Sequence, residues 1–468
     1  MRAVLVLCFI FWGSHIYSQN KETLYDFNDL PQSLMLNPGA KVGFKKHIGI
    51  PFLSQIHLNA GFRGASLFDV FGDDGRDINE KIETTLNTLT SNDYVTLTQQ
   101  LEIANFGWES KRNEDVYFSA GIYQELDVIG FFPKDFAVLA YQGNRDFINV
   151  PFRFSTINAS GELLMVYHFG YNKRVNKKFT FGARAKLYSS IIHARSARNT
   201  GTFTTVETPQ GRNIYQHIVS NADVELRTSG YASLRDLEEE TGSDQVKNAV
   251  NKLIGRALLG GNLGVGVDVG FTHNINDQLS VTGSVNDLGV VFYTNDVETY
   301  RARGNYIFEG FETPIQFSGE ESQNFIDELE EAIPLDTLSN TYVNMRPMKL
   351  NGSIRYSFNQ YDDGRCYYCI EGEDPPYLDA VGFQVFTQFR PNRPQYAASL
   401  FYYKRLFHFL RTKVTYTVDD FSPYNLGFLV STHINKFNFY LSANNVFEYT
   451  NLAKARGASV QLGFNIIM

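Results

Sequence analysis

Cys366-Tyr367-Tyr368-Cys369 carries the only metal-type or redox-type cysteine spacing in this 468-residue sequence. Two thiols at that spacing can supply half of a zinc site or form a reactive dithiol. A zinc site needs a second ligand pair, and a reactive dithiol needs a helix start or a cation to lower a thiol pKa. Neither accompanies this motif, and the following Asp374-Pro375-Pro376 reads as loop. Cys366 and Cys369 are therefore expected to form a local disulfide or to remain two idle thiols, with no metal and no cofactor. The nine histidines are scattered, and no His-Glu-x-x-His or Gly-x-Ser-x-Gly pattern occurs, so no catalytic residues are assigned and the protein is not expected to be an enzyme. Gly260 to Gly270 is glycine-rich, but its glycines alternate with Val and Leu and open no helix. That pattern suits a curving sheet better than a phosphate cradle.

The remaining candidates are charges set into alternating segments. Phe179, Phe181, Ala183, Ala185 and Leu187 alternate with Thr180, Gly182, Arg184, Lys186 and Tyr188. Leu263, Val265, Val267, Val269 and Phe271 alternate with Gly264, Gly266, Asp268, Gly270 and Thr272. Successive side chains of a strand point to opposite faces, so each segment has one apolar and one polar face. The last residues repeat the pattern: Ala458, Val460, Leu462, Phe464 and Ile466 against Ser459, Gln461, Gly463 and Asn465. Strands of this kind, apolar toward lipid and polar toward the lumen, build outer-membrane β-barrels. On that reading Arg184, Lys186, Asp268, Arg355 and Lys413 face the lumen, where they either tune a pore or pair with one another and with a plug.

Composition agrees. Aromatic residues make up 15%, with 39 Phe and 27 Tyr, as girdles at two interfaces require. The mean hydropathy of -0.24 excludes a helical membrane protein but not a barrel, half of whose strand residues are polar. A net charge of -8 argues against a nucleic-acid partner. Arg2 followed by the apolar run Ala3 to Trp12 reads as an export signal, with cleavage expected near Ser18. The expected location is the cell outer membrane.

The coarse organisation is residues 1–18 as signal peptide, 19–46 as an N-terminal plug-like segment and 47–468 as barrel. The plug-like segment is polar, irregular and turned at Asn37-Pro38. Glu22, Asp26 and Asp29 within it are possible partners for Arg184, Lys186 and Arg355. The first wall segment, His47 to Arg63, is interrupted at Pro51. Counting crossings gives an all-β, transmembrane antiparallel barrel of about 14 strands. The sections Thr202 to Arg227 and Val297 to Glu309 are read as hairpin extensions above the membrane; counting the first as a crossing pair gives the alternative of about 16. Ile78 to Leu89, Ser233 to Leu258 and Glu320 to Ile333 read as helical external loops at the outer mouth.

Several short motifs then carry a resemblance. Leu36-Asn37-Pro38-Gly39-Ala40 is similar to the Asn-Pro-Ala-type motif near the mature N-terminus of fatty-acid-transporter-like and type IX secretion barrels. Phe132-Pro133-Lys134-Asp135-Phe136 through Gly143, Asn286-Asp287-Leu288-Gly289, Leu426-Gly427 and Ala443-Asn444-Asn445-Val446 resemble, in that order, an uncharacterised family of Bacteroidota outer-membrane barrels defined as a domain of unknown function. The resemblance covers most of the chain beyond the signal and brings no catalytic residues. The chain departs from the family at Tyr361 to Tyr377, where an insert holding both cysteines replaces a short connection.

Two functions fit. One is transport of a hydrophobic solute across the outer membrane. The other is a non-transporting barrel subunit of a secretion or cell-surface complex. The expected partners are outer-membrane lipid together with a hydrophobic solute or the proteins of such a complex.

Overall fold

A computed structural model describes residues 21–208, 214–239, 243–309, 331–360, 377–390 and 393–468. The expected signal peptide, Cys366 and Cys369 with their insert, and nearly all of the helix expected at Glu320 to Ile333 lie outside these residues.

Fourteen antiparallel strands close into a barrel. They are β1 (Lys46–Gly49 and Ile56–Phe62), β2 (Tyr94–Ser110), β3 (Asn113–Phe131), β4 (Ala159–Asn176) and β5 (Phe179–Glu207). Next come β6 (Tyr215–Ser229 and Asn262–Asn274), β7 (Leu279–Tyr293 and Val297–Phe308) and β8 (Leu335–Leu338, Tyr342–Met345 and Lys349–Gln360). The last six are β9 (Tyr377–Gln388), β10 (Gln395–Arg405), β11 (Leu410–Asp419), β12 (Asn425–Ile434), β13 (Phe437–Asn444) and β14 (Gly457–Ile467). The seam pairs β14 with β1, from Ile467 opposite His47 to Gly457 opposite Gly61, so the wall has no free edge.

Alternation decides which way each side chain points. Phe181, Val265, Val267 and Phe464 stand exposed on the outside. Their sequence neighbours Thr180, Asp268 and Asn465 are buried inside, as is Arg184. An apolar outer belt around a polar interior is the architecture of outer-membrane proteins. The turns between β2 and β3, β4 and β5, β10 and β11, and β12 and β13 are short and share one end, as periplasmic turns do. While the 16 residues between β8 and β9 start and finish at the short-turn end, the opposite end carries the long helical connections. There α2 (Leu67–Phe71) and α3 (Ile78–Thr88) lie in the β1–β2 loop, after α1 (Ser33–Leu36) near the chain start; α4 (Lys134–Gln142) lies in the β3–β4 loop. Lys134 donates to Leu89 O at 2.5 Å and Tyr141 to Asn79 O at 3.0 Å, so α3 and α4 pack together.

Strands β5 to β8 rise beyond the others as a four-stranded fin: the upper part of β5 pairs with Tyr215–Ser229, which pairs with Val297–Phe308, which pairs with Leu335–Leu338. The sections Thr202 to Arg227 and Val297 to Glu309 are thus extensions of wall strands, and the wall has 14 strands rather than 16. The second expected helical insert, α5 (Ala232–Arg235) and α6 (Ser243–Gly255), interrupts β6 midway instead of joining two strands. Among the bulges that shift the pairing, one lies at Ile191 in β5 and one at Asn286-Asp287 in β7. Asp287 adopts φ +60°, a left-handed conformation that Asp tolerates better than most residues, and the extra residue reverses inside and outside beyond it.

Candidate functional site

The lumen is occupied by the chain's own N-terminal segment. Leu24, Phe27, Leu30 and Gln32 are fully buried there. The segment descends from the upper half of the barrel to the periplasmic end and bonds to the wall all the way. Lys413 donates to Tyr25 O at 2.5 Å, and Gln384 to Glu22 O at 2.6 Å. Arg355 donates to Asp26 O at 3.1 Å, and its guanidinium lies 4.6 Å from the Tyr403 ring centre. Arg411 pairs with Asp29 at 2.7 Å. Ser284 and Asn286 both donate to Leu36 O, at 2.6 and 2.7 Å.

Asn37-Pro38-Gly39 sits against the wall at the lower end. Asn37 Oδ1 accepts from Gly39 N at 2.9 Å, while its Nδ2 donates to Phe271 O at 3.1 Å. Asn172 donates to Pro38 O at 2.7 Å. This contact explains the glycines better than wall curvature does. Gly182 and Gly270 face each other across β5 and β6, and a Cβ at either would collide with Pro38 O or Asn37 Oδ1. Glycine is what lets the turn reach the wall backbone.

The charged residues form a neutral cluster of four cations and four anions on β3 to β8. Arg184 donates to Asp268 at 2.7 Å and to Met35 O at 2.6 Å. Lys186 lies 2.9 Å from Asp268 and 2.5 Å from Asp287. Lys349 bridges Asp287 at 2.9 Å and Glu125 at 3.4 Å, and Arg346 joins Glu125 at 2.9 Å to Glu162. Arg184 and Lys186 thus pair with acids of the wall rather than with Glu22, Asp26 or Asp29. The Asp287 partner depends on the β7 bulge, which strict alternation does not foresee.

An aromatic-aliphatic group adjoins this cluster, with the Arg346 guanidinium 5.5 Å from the Tyr188 ring centre and Tyr293 donating to Glu162. Tyr123, Leu164, Val166, Tyr188, Val291 and Tyr293 form a buried group into which Met35 of the N-terminal segment inserts. His193 stacks on Tyr293 at 4.4 Å and Tyr293 on Tyr342 at 4.7 Å. Val291 and Tyr293 face inward because of the bulge at Asp287. Beside the segment, Lys21, His57, Gln100, Glu125, Asp127 and Arg390 line a polar cavity of about 50 Å³, room for water but not for an organic solute.

One wall strand meets the segment through its interruption. Between the two halves of β1, residues 50–55 bulge outward, exposing Phe52 and Leu53 and burying Ser54 and Gln55. Gln32 donates to Ser54 O at 3.0 Å, to Glu102 at 3.1 Å and to Asn465 at 2.9 Å, and so ties the segment to this bulge. A Cβ at Gly463 on β14 would collide with Ser54 O. No titratable cluster with metal-binding geometry occurs among the described residues.

Solved structures with a similar course of chain include the Ralstonia pickettii toluene transporter TbuX, at 11% identity, 97% coverage of both chains and a TM-score of 0.43. The Pseudomonas putida toluene transporter TodX follows at 10% identity, with 93% and 92% coverage and a TM-score of 0.38. A Pseudomonas aeruginosa FadL homologue is 8% identical over 97% of this chain and all of its own, with a TM-score of 0.42. No curated protein matches the chain. The family of unknown function DUF5723 matches residues 38–444, and the chain belongs to it.

Proposed function

We propose that this DUF5723 member carries an apolar solute across the outer membrane, with the N-terminal segment as a movable plug. The observation that carries this reading is Met35, an apolar side chain of the segment seated in an aromatic-aliphatic group of the wall. Withdrawing the segment would leave Tyr123, Leu164, Val166, Tyr188 and Val291 lining an open chamber, mostly apolar with Arg346 and Asp287 at its side, of the kind that binds small organic molecules. Gln32 links the same segment to the β1 bulge, so displacement of the segment would free a wall strand broken within the lipid belt. Solute would then leave sideways through that break or downward past Asn37-Pro38. The signal would be removed near Ser18, leaving the segment to start inside the lumen.

Planar-bilayer recording tests the plug. A variant lacking residues 19–40 should conduct more than the parent; an intact barrel of unchanged conductance would overturn the reading. Growth of a deletion strain on candidate apolar solutes then tests transport. A second reading, a non-transporting subunit of a secretion or cell-surface complex, is favoured by the fin of β5 to β8, which offers Ile214, Ile307 and Leu335 to the outside. Co-purification with a large complex from native membranes, without solute-dependent growth, would select it.

A further inference from the structure

The insert that interrupts β6 leaves the wall on its outer side. Ser189, on the outward face of β5, donates to Arg256 O at 2.6 Å. Tyr167, in the outward row of β4 with Phe169, donates to Ala257 O at 2.8 Å. Arg256 closes the junction, donating to Gly230 O at 2.7 Å and pairing with Asp296 at 2.6 Å. Lys252 ties α6 back to Ser233 O at 2.7 Å. The helix is thus clamped against the outside of the barrel.

Its free side is apolar. Val246, Val250 and Ile254 are spaced by one turn and are 65%, 46% and 51% exposed; Leu258 follows at 68%. Residues four apart share a helix face, and on a helix facing only water that face would be polar. The insert rejoins the wall at Asn262. From there the outward row Leu263, Val265 and Val267 continues down the belt, each exposed. Leu263 to Phe271 is nine residues, eight steps of tilted strand and roughly 20 Å of membrane depth, so Leu263 marks the upper rim of an apolar band about 25 Å tall.

We propose that α6 and the turn after it rest in the membrane at the boundary between headgroups and acyl chains of the outer leaflet, with Val246, Val250, Ile254 and Leu258 toward the lipid. The occupant of this face is lipid because the face continues the lipid-contacting belt without a polar gap. A short amphipathic helix of this kind lies on a membrane rather than spanning it. Pinned to the wall by Arg256, it fixes how deep the barrel sits on the side where the fin rises.

Fluorescence quenching in the intact protein tests the placement. In a Cys366→Ser/Cys369→Ser background, an environment-sensitive dye goes on Val250→Cys or Leu258→Cys, with Leu263→Cys as belt reference and Leu335→Cys as water reference. The barrel is reconstituted in vesicles whose lipids carry a nitroxide at a shallow acyl position. Quenching at Val250→Cys and Leu258→Cys is expected within about twofold of Leu263→Cys, with Leu335→Cys unquenched. Quenching equal to Leu335→Cys at both positions would overturn the proposal. So would a disulfide between two copies through Val250→Cys without lipid quenching, which would assign the face to a second molecule. If one labelled variant fails to fold, the other carries the measurement.

Discussion

Strands β9 to β14 and strands β5 to β8 are built on the same alternation and have different interiors. In β9 to β14 the pairing runs unbroken, from Asp379 opposite Lys404 to Gln388 opposite Gln395 and on to Ala443 opposite Val460. Their buried inner face is mostly uncharged: Ser399 and Thr417 share a hydrogen bond, and Lys413 meets carbonyl and amide oxygens. In β5 to β8 three strands are broken and several bulges shift the pairing, and here most of the ion cluster, part of the aromatic chamber, the fin and the external helix are found. Regular pairing gives a wall. Each interruption gives a chance to re-aim a side chain or to let a segment out.

The comparison breaks first at Asp268. Asp268→Ala leaves Arg184 without its carboxylate partner and Lys186 with Asp287 alone, in a buried setting. A loss of roughly 3–5 kcal/mol is expected, read as a lower urea midpoint of the folded band in detergent. An unchanged midpoint would mean that the cluster is looser than its distances imply. Next, Leu462→Arg tests the regular wall from outside. A cation near the midplane should cost roughly 2–4 kcal/mol, and insertion equal to the parent's would place Leu462 away from lipid. Lys413→Met sharpens the contrast from inside, because it removes a cation whose hydrogen-bond acceptors are all uncharged. A smaller loss, about 1–3 kcal/mol, should follow; one as large as that of Asp268→Ala would erase the distinction between the two interiors.

Acid separates the fin from the belt. Asp223, outside the membrane, accepts from Arg301 at 2.8 Å and from Arg198 at 3.3 Å. The Arg301 hydrogen bond holds its pKa down from 3.8 to about 2. A depressed carboxylate stabilises the fold above its unfolded pKa and loses that contribution as pH falls from 3.8 toward 2. Fin amides should therefore exchange faster with solvent across that window while belt amides keep their protection, and simultaneous loss would couple fin to wall. The smallest effect is expected at Cys366→Ser/Cys369→Ser. A disulfide spanning two intervening residues closes too small a loop to restrict the unfolded chain much, so the shift should stay within about 0.5 kcal/mol. Loss of the heat-stable folded band would assign that pair a structural role.

Which parts were readable from the chain follows the same division. The wall was legible wherever period-two alternation ran unbroken, as in β14, because one face must be apolar throughout. The interruption at Pro51 and the extensions above the membrane were legible too. Asp268 was legible as an inward partner of Arg184 and Lys186, but the second partner of Lys186 was not, because Asp287 turns inward through a bulge that reads as one more strand residue. Helix α4 went unread although its signals were present: Pro133 precedes it, and Gly143 ends it at φ +73°. The glycines at 182 and 270 showed their purpose only against Pro38 and Asn37, contacts spanning more than a hundred residues.

The N-terminal segment also bears on the order of assembly. Gln32 bonds to Asn465, 433 residues away, and Thr23 to Ser442, 419 residues away. Neither partner exists until the last strands have been made, and both bond to the segment only where β13 and β14 complete the wall. The first residues of the segment therefore wait longest for their native neighbours. Their capture coincides with closure of the seam, so protease resistance at residues 21–36 should serve as a clock for the final step of barrel folding.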